Sequence, residues 1–304
     1  MTAAVTTVSQ TAAGSPGPTR RRKPRSLLRG LLGNRKAMFG LVLLVLFVLL
    51  ALLAPVISPA DPSQISDAIS LPPSAAHWFG TTSSGQDVLA LTLWGSRSSL
   101  LVGFGVGIAA TLIGIVIGML SAYFGKIVDD LLSLFTNIFL LIPGLPLLVV
   151  LAAYLPPGQG TVAIVLIVTG WAGSARVLRA QALSIRGKDF VAAAVVTGEG
   201  ALRVMFREIL PNMASVVMTT FLGCVIFGIG AQAGLEFLGL GDTSTVSWGT
   251  NLYWASNNGS LMTGNWWVFL PSGLCIALVA FGLAMVNYAV DEITNPRLRT
   301  RRKG

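Results

Sequence analysis

Stretches without a single charged residue constrain the fold of this chain more than any other feature of its sequence. A helix that crosses a bilayer needs about 20 mostly apolar residues, and five stretches reach that length. The third is long enough for two helices, because YLPPGQG in its middle is typical of a turn. The stretches are Ala37–Ala60, Ser98–Gly125, Leu131–Ala175, Ile209–Leu235 and Thr243–Val290. They predict an all-α polytopic membrane protein with six transmembrane helices.

The composition agrees with a membrane location. Hydrophobic residues make up 53% of the 304 positions and charged residues only 11%, with a mean hydropathy of +0.75, whereas soluble proteins carry about 25% charged residues. A net charge of +9 can indicate nucleic-acid binding. Here the basic residues lie beside predicted spans, where orientation in the membrane explains them, so no nucleic-acid partner is expected.

Lys and Arg are distributed unequally between the two sides that six spans define. An even number of spans places both chain ends on one side, and all 21 basic residues except Arg97 fall on that side. Because cytoplasmic loops near spans are enriched in Lys and Arg, both termini are predicted to be cytoplasmic.

These spans divide the chain into regions with predicted boundaries. The regions are a disordered basic cytoplasmic N-terminal region (1–36), a first transmembrane helix (37–57), an extracytoplasmic loop (58–99), a five-helix core (100–290) and a basic cytoplasmic tail (291–304). Within the core, a cytoplasmic loop is predicted at about 176–208 and a second extracytoplasmic loop at about 237–267.

No pattern of residues indicates a catalytic or metal site. His77 is the only histidine, and without a neighbouring cluster of Cys, Asp or Glu it forms neither a metal site nor a nucleophile–base pair. Cys224 and Cys275 fall inside predicted spans, where cysteine behaves as a small apolar residue. The chain contains no GxxxxGK[ST] sequence for nucleotide phosphates. We therefore expect no enzyme and no cofactor in this chain, and no means of driving transport by itself.

Glycines recur inside the predicted spans at a spacing of four residues, in Gly114-xxx-Gly118 and Gly230-xxx-Gly234. Small residues at this spacing let helices approach closely, so helix packing is the first interpretation. A smooth wall of a transport pathway is the second, and the spacing alone does not separate the two.

The longest inner loop contains a short helix between two breaks. Asp189 is predicted to cap this helix with its carboxylate, and Gly198 ends it by permitting a positive φ angle. A second helix then carries Arg203 and Arg207 on one face, and Pro211 is predicted to begin the fifth span, since proline is tolerated in a first turn. The short helix, with its small alanine face, either meets another protein or packs against its own bundle. Charge reversal at Asp189 is expected to be more harmful than at Asp129.

The residues of this loop resemble the EAA loop of the membrane subunits of ABC importers. The resemblance rests on Asp189-Phe-Val-Ala-Ala-Ala, on Gly198 nine residues after Asp189, and on Ile209-Leu-Pro-Asn. Further segments, in the same order along the chain, are similar to those of peptide-importer permeases of the dipeptide and oligopeptide C-subunit type. These segments are HWFGT from His77, GQDV from Gly85, GSRSSLLVG from Gly95, GLEFLGLG from Gly234, WG from Trp248 and NPR from Asn295.

The resemblance implies a type I ABC importer permease in a bacterial plasma membrane. Its short helix would dock in a groove of a cytoplasmic ATP-hydrolysing subunit, which would bind the ATP and magnesium that this chain does not. The residues implied in that coupling are Asp189, Phe190, Ala193, Ala194, Gly198, Arg203 and Pro211. The outer loops would meet an extracytoplasmic solute-binding protein, through His77, Phe79, Gly80 and Trp248.

The family also implies a second, homologous permease subunit and two nucleotide-binding subunits. Di- or oligopeptides are the expected cargo, while nickel or another small solute is an alternative within the same architecture. A non-transporting membrane scaffold that recruits a partner through the same loop is a further alternative. The chain departs from the family pattern at Thr82, Gln86, Glu199 and Glu208, which bears on the substrate and on the fine geometry of coupling.

Overall fold

The computed structural model describes residues 33–59 and 61–294, and within these ranges the chain is almost entirely helical. The helices are α1 (Arg35–Ile57), α2 (Val88–Phe124), α3 (Lys126–Leu141), α4 (Gly144–Tyr154), α5 (Gln159–Arg186), α6 (Asp189–Val196), α7 (Ala201–Arg203), a π-helix (Val204–Ile209), α8 (Leu210–Asn212), α9 (Ala214–Phe237), α10 (Trp248–Asn257) and α11 (Trp266–Thr294). The described residues form no strand, only an isolated antiparallel bridge between Thr81 and Asp87. The all-α prediction is confirmed.

Five helices, α1, α2, α5, α9 and α11, are long and apolar enough to cross a membrane. The sixth predicted span is a bent pair, α3 and α4, whose axes meet at 88°. The break follows from Pro143, because the residue before a proline disfavours helical backbone, and Ile142 is accordingly extended at φ −71° and ψ 128°. The described chain therefore has five straight candidate spans, and six when the bent pair counts as one.

Helix α2 lies at the centre of the bundle and packs against α5, α9 and α1. Its contact with α5 depends on the first glycine pair: a Cβ atom added at Gly114 would lie 2.7 Å from Cβ of Ser174, and one at Gly118 would lie 2.8 Å from the backbone nitrogen of Arg179. Both distances are below normal van der Waals contact. Helix packing is thus the correct interpretation for this pair.

Helix α1 joins the bundle through α11. A Cβ atom added at Gly40 would lie 2.6 Å from the carbonyl oxygen of Gly282, so the two backbones touch at this crossing. At the ends of these helices, the side-chain amide of Asn34 donates a hydrogen bond of 3.0 Å to Glu292 Oε2. Deeper in the bundle, the rings of Phe47 and Trp248 meet edge to face at 6.0 Å between centroids.

Several element boundaries differ from the predicted ones. Helix α2 begins at Val88, where Asp87 accepts a capping hydrogen bond from the Ala90 backbone N–H at 3.0 Å, so the last residues of the predicted loop 58–99 are helical. Helix α1 includes Arg35 and Lys36, which were predicted to belong to the disordered region. The rest of that region, residues 1–32, and residues 295–304 of the tail lie outside the described residues.

Candidate coupling surface and outer loops

The short inner helix exists, with its first turn one residue displaced from the prediction. Helix α6 begins at Asp189, its N-cap is Lys188, and no side chain caps it. The prediction that the Asp189 carboxylate caps the helix is therefore wrong: Asp189 is the first helical residue, where its negative charge faces the positive end of the helix dipole. Gly187 ends the preceding helix α5, as predicted.

Helix α6 presents two different faces. Val191 is 2% exposed and packs into a cluster with residues of α2, α5 and the π-helix, while Ala194 is half-buried beside it. Five large apolar side chains of α6, α7 and the π-helix are exposed, and we call them the apolar patch: Phe190 (42%), Val195 (50%), Val196 (86%), Leu202 (66%) and Phe206 (54%). The packing of one face on the bundle holds the other in place at the surface. Ala193 is also exposed.

Gly198 makes the turn that follows α6. Its φ angle is +83°, a value that side chains with a Cβ atom rarely adopt, and no atom lies within 4 Å of a Cβ built there. The requirement for glycine is therefore conformational rather than steric. Just beyond the turn, Glu199 and Arg203 form an ion pair at 3.8 Å, and Glu199 Oε2 is buried without a hydrogen-bond partner among the described residues.

A π-helix, Val204–Ile209, separates α7 from α8. Single π-helical turns inside α-helices are rare and often mark functional positions. Pro211 lies in the three-residue helix α8, and Met213, with φ −109° and ψ 11°, interrupts the chain before α9. The fifth span consequently begins at Ala214, not at Pro211 as predicted.

In the first outer segment, His77 joins the loop to the start of α2. Its Nδ1 lies 2.8 Å from Oδ2 of Asp87, whose other carboxylate oxygen caps α2. Gly80 is buried at φ +73°, and a Cβ atom there would lie 2.7 Å from Cδ1 of Trp267. Of the residues predicted to meet a partner, Phe79 is 37% exposed, and its neighbour Trp78 is 71% exposed.

Trp248 lies in the interior of the protein. Its side chain is fully buried, its indole N–H donates to the Thr92 carbonyl oxygen at 3.1 Å, and its backbone N–H donates to the Ser99 hydroxyl at 3.1 Å. The indole therefore offers no surface to a partner in this structure. It fixes α10 on α2 instead.

A buried polar cluster next to Trp248 was not predicted. Glu236, at the outer end of α9, is 2% exposed and accepts hydrogen bonds from Ser247 Oγ and from Gln232 Nε2, the latter at 3.0 Å. Gly249 is required beside it, since a Cβ atom there would lie 2.5 Å from Glu236 Oε2. The signal in the sequence is that Glu236 directly follows a charge-free stretch without a break in the helical pattern.

A cavity of about 440 Å³, lined by both polar and apolar side chains, lies between the two outer segments. Its lining includes the hydroxyls of Ser63, Thr82 and Thr243 and the amides of Gln86 and Asn258, with no charged side chain among the described residues that line it. Two departures from the family pattern, Thr82 and Gln86, thus face one cavity.

Near this cavity, Ser63 donates hydrogen bonds from its hydroxyl and from its backbone N–H to the carboxylate of Asp61. These bonds, the hydroxyl's above all, hold the pKa of Asp61 below its usual value.

The second glycine pair behaves differently from the first. Gly230 and Gly234 are exposed, and no atom lies within 4 Å of a Cβ built at either position. Gly223, seven residues before Gly230, has the same open surroundings, and Phe227 between them is 41% exposed. Residues at this spacing share one helix face. One face of α9 is therefore open along most of its length.

Comparisons with known proteins place these features in a family. Residues 114–300 match the family model described as the binding-protein-dependent transport system inner membrane component. Residues 25–73 match the N-terminal TM domain of oligopeptide transport permease C. The chain is 32% identical over 277 residues to the dipeptide transport system permease protein DppC of Bacillus subtilis, which covers 89% of this chain and 85% of that protein. It is also 32% identical over 269 residues to the oligopeptide transport system permease protein OppC of Bacillus subtilis, covering 88% and 87%.

Proposed function

Because this chain belongs to the family of binding-protein-dependent transport system inner membrane components, we propose that it is the permease subunit of an ABC importer for di- and oligopeptides. A homologous permease subunit completes the pathway, and separate ATP-hydrolysing subunits drive it. The observation that supports this proposal is the apolar patch around α6, an exposed hydrophobic surface on the connection between α5 and α9, which is held to its own bundle by the buried Val191.

The apolar patch is suited to receive a protein partner. Exposed apolar clusters of this kind mark interaction sites in folded proteins, and here the buried Val191 fixes the helix that carries them. Movement of an ATPase subunit bound to Phe190 and Val196 would pass through α6 to α2 and α5 as a nearly rigid displacement. Gly198 and Arg203 would shape the turn behind the contact.

The open face of α9 supports a second permease subunit. No atom of the described residues lies within 4 Å of a Cβ built at Gly223, Gly230 or Gly234, and small residues allow close approach of another helix. Alternating access requires one bundle to move against another. This face would therefore line the pathway or meet the partner bundle.

The outer segments would receive an extracytoplasmic solute-binding protein, with Phe79 and the neighbouring Trp78 as contacts and with His77 and Gly80 holding the loop in shape. The excess of basic residues at the chain ends places both termini in the cytoplasm of a bacterium under this proposal. Peptide cargo is supported by the similarity to the dipeptide and oligopeptide transport system permease proteins of Bacillus subtilis.

The proposal is tested by uptake of a labelled dipeptide, with nickel in parallel, into cells that lack this chain and cells in which it is restored. Peptide uptake should return with the chain. If nickel uptake alone returns, the peptide assignment is wrong, although the permease assignment stands. If neither peptide uptake nor nickel uptake returns while the chain is present in the membrane, the transport proposal gives way to the alternative of a non-transporting membrane scaffold.

The partner contact is tested separately by Val196→Asp. This side chain is 86% exposed, so the substitution should leave membrane insertion and thermal stability unchanged. Copurification of the ATPase subunits should fall at least tenfold, because a buried unpaired carboxylate costs several kcal/mol at an interface (about 2–5). Undiminished copurification with the Val196→Asp protein would move the ATPase contact away from the apolar patch.

A further inference from the structure

A second polar crevice lies between α2, α3 and α5, away from α6 and the outer loops. Its volume is about 280 Å³, and Ser133, Thr136, Asn137, Arg176 and Arg179 are among its lining residues. The crevice has no part in the proposed contacts with the ATPase or the solute-binding protein. Two arginines in one small cavity require a negatively charged partner, either a bound ligand or a nearby carboxylate.

The two arginines differ in their surroundings. Arg179 donates through Nε and Nη2 to the carboxylate of Asp129 at 2.6 Å, which leaves its Nη1 group without a hydrogen bond among the described residues. Arg176 is exposed and has no ion pair or hydrogen bond in the described chain. The Asn137 side-chain amide, also exposed, has none either. Asp129 pairs with one arginine, and the charge of Asp130 also acts on Arg179. Arg176 is left without an ion-pair partner among the described residues.

Helix α5 is longer than the hydrocarbon core is thick. It has 28 residues and is therefore about 42 Å long, whereas the core is about 30 Å thick, or about 20 helical residues. If the core begins at Gln159, its twentieth helical residue is Leu178, and Arg176 and Arg179 then lie where lipid headgroups begin.

Exposed apolar side chains lie next to the crevice residues in α3 and α5. Leu134 and Ile138, the neighbours of Ser133 and Asn137 on α3, are 59% and 48% exposed, and Val177 on α5 is 50% exposed. A ligand that joins an anionic oxygen group to hydrocarbon chains matches this combination. Arginine donates to phosphate oxygens through a planar fork of N–H groups.

We propose that the crevice binds the phosphate of an anionic phospholipid headgroup, with Arg176 and the amide of Asn137 as its ligands and the Nη1 group of Arg179 as a third donor. Asp129 positions Arg179 for this contact. The acyl chains lie along Leu134, Ile138 and Val177. The inference rests on membrane insertion of the chain and does not depend on the cargo.

The test uses the purified full-length chain in a neutral detergent, with native mass spectrometry to count retained molecules of phosphatidylglycerol or phosphatidylcholine. Arg176→Gln should reduce retention of phosphatidylglycerol roughly tenfold, since it removes a charged hydrogen bond. Phosphatidylcholine should stay at background. Arg97→Gln is the matched control, because Arg97 is also an exposed basic residue near the end of a membrane helix.

Three results would overturn the proposal. Equal losses in Arg97→Gln and Arg176→Gln would indicate a general effect of charge, and equal retention of the two lipids would exclude recognition of an anionic headgroup. Displacement of phosphatidylglycerol from the wild-type chain by a dipeptide would make the crevice a carboxylate site for cargo. Asn137→Ala provides a second variant if Arg176→Gln does not fold, and it should lose retention several-fold.

Discussion

The guanidinium of Arg179 donates two hydrogen bonds to the carboxylate of Asp129, Nε to Oδ1 and Nη2 to Oδ2, both at 2.6 Å. The pair joins the first turn of α3 to α5, and the Ser121 and Ser133 hydroxyls donate hydrogen bonds to the same carboxylate. Charge reversal at Asp129 would break this pair, so Asp129 is not a suitable control position for charge reversal at Asp189. Asp130, which is exposed, is the better one.

Loss of the Asp129–Arg179 pair should destabilise the bundle. Both Asp129→Asn and Arg179→Gln should lower the thermal midpoint in detergent, and a double-mutant cycle should give a coupling energy of about 1–2 kcal/mol, because bidentate pairs with charged partners exceed ordinary hydrogen bonds. Asp130→Asn serves as the control and should leave the midpoint unchanged. Strictly additive effects of the two substitutions would show that the pair contributes nothing.

Glycine at position 198 should be required for coupling and dispensable for insertion. Gly198→Val places a β-branched residue at φ +83°. Left-handed backbone costs such a residue about 1–2 kcal/mol of conformational free energy, and relief of this strain would change the orientation of α6. Gly200→Val is the matched control, since Gly200 has φ −67° and ψ 153°, an extended conformation that valine adopts readily, and its added side chain meets no neighbour at Cβ. Dipeptide uptake should be lost in the first variant and kept in the second, with equal amounts in the membrane. Normal uptake by Gly198→Val would count against the coupling role.

Two tryptophans of the outer region should separate stability from partner binding. Trp248→Ala removes a fully buried side chain and should destabilise the protein by about 3–5 kcal/mol, measured by thermal unfolding. Trp78→Ala, at a site that is 71% exposed, should leave the thermal midpoint in place and weaken binding of the solute-binding protein. The reverse pattern would mean that the indole of Trp248 reaches the surface in the assembled importer.

The two glycine pairs should respond differently to the same substitution. Gly114→Val forces Cβ to within 2.7 Å of Ser174 and should prevent α2 from packing on α5, at a cost of about 1–3 kcal/mol or more. A Cβ atom at Gly230 has no atom of the described residues within 4 Å, so Gly230→Val should preserve folding while uptake or association with the second permease falls. Unimpaired uptake by Gly230→Val would remove the open face of α9 from the pathway.

The sequence predicts most of the membrane architecture because the bilayer imposes it: charge-free stretches of sufficient length have few alternatives to a spanning helix. The short inner helix and its glycine turn were also predictable, since Gly198 interrupts a run of small residues. The start of that helix differs from the prediction by one residue, because aspartate suits both the N-cap and the first turn and sequence patterns locate helix ends only to within a few residues.

Features that depend on distant contacts were not predictable. Trp248 follows a polar stretch between spans, a position typical of a membrane-border tryptophan. Its burial depends on contacts with α2, far earlier in the chain, which no local pattern indicates. Glu236 and Ser247 meet across a loop whose course no local pattern defines. The start of α2 at Val88 is not evident from the sequence pattern, because the charge of Arg97 limits the charge-free stretch to Ser98–Gly125.

The hydrogen bond between Asn34 and Glu292 has a topological consequence. It brings the first turn of α1 beside the last turns of α11, so the two ends of the described chain lie at the same face of the bundle. If each of the five straight helices crosses the membrane once, their odd number would leave these ends on opposite faces. The bent pair α3–α4 must then cross the membrane once more, despite its 88° bend. A re-entrant hairpin that returns to its own side would keep the two ends apart and is incompatible with the hydrogen bond between Asn34 and Glu292.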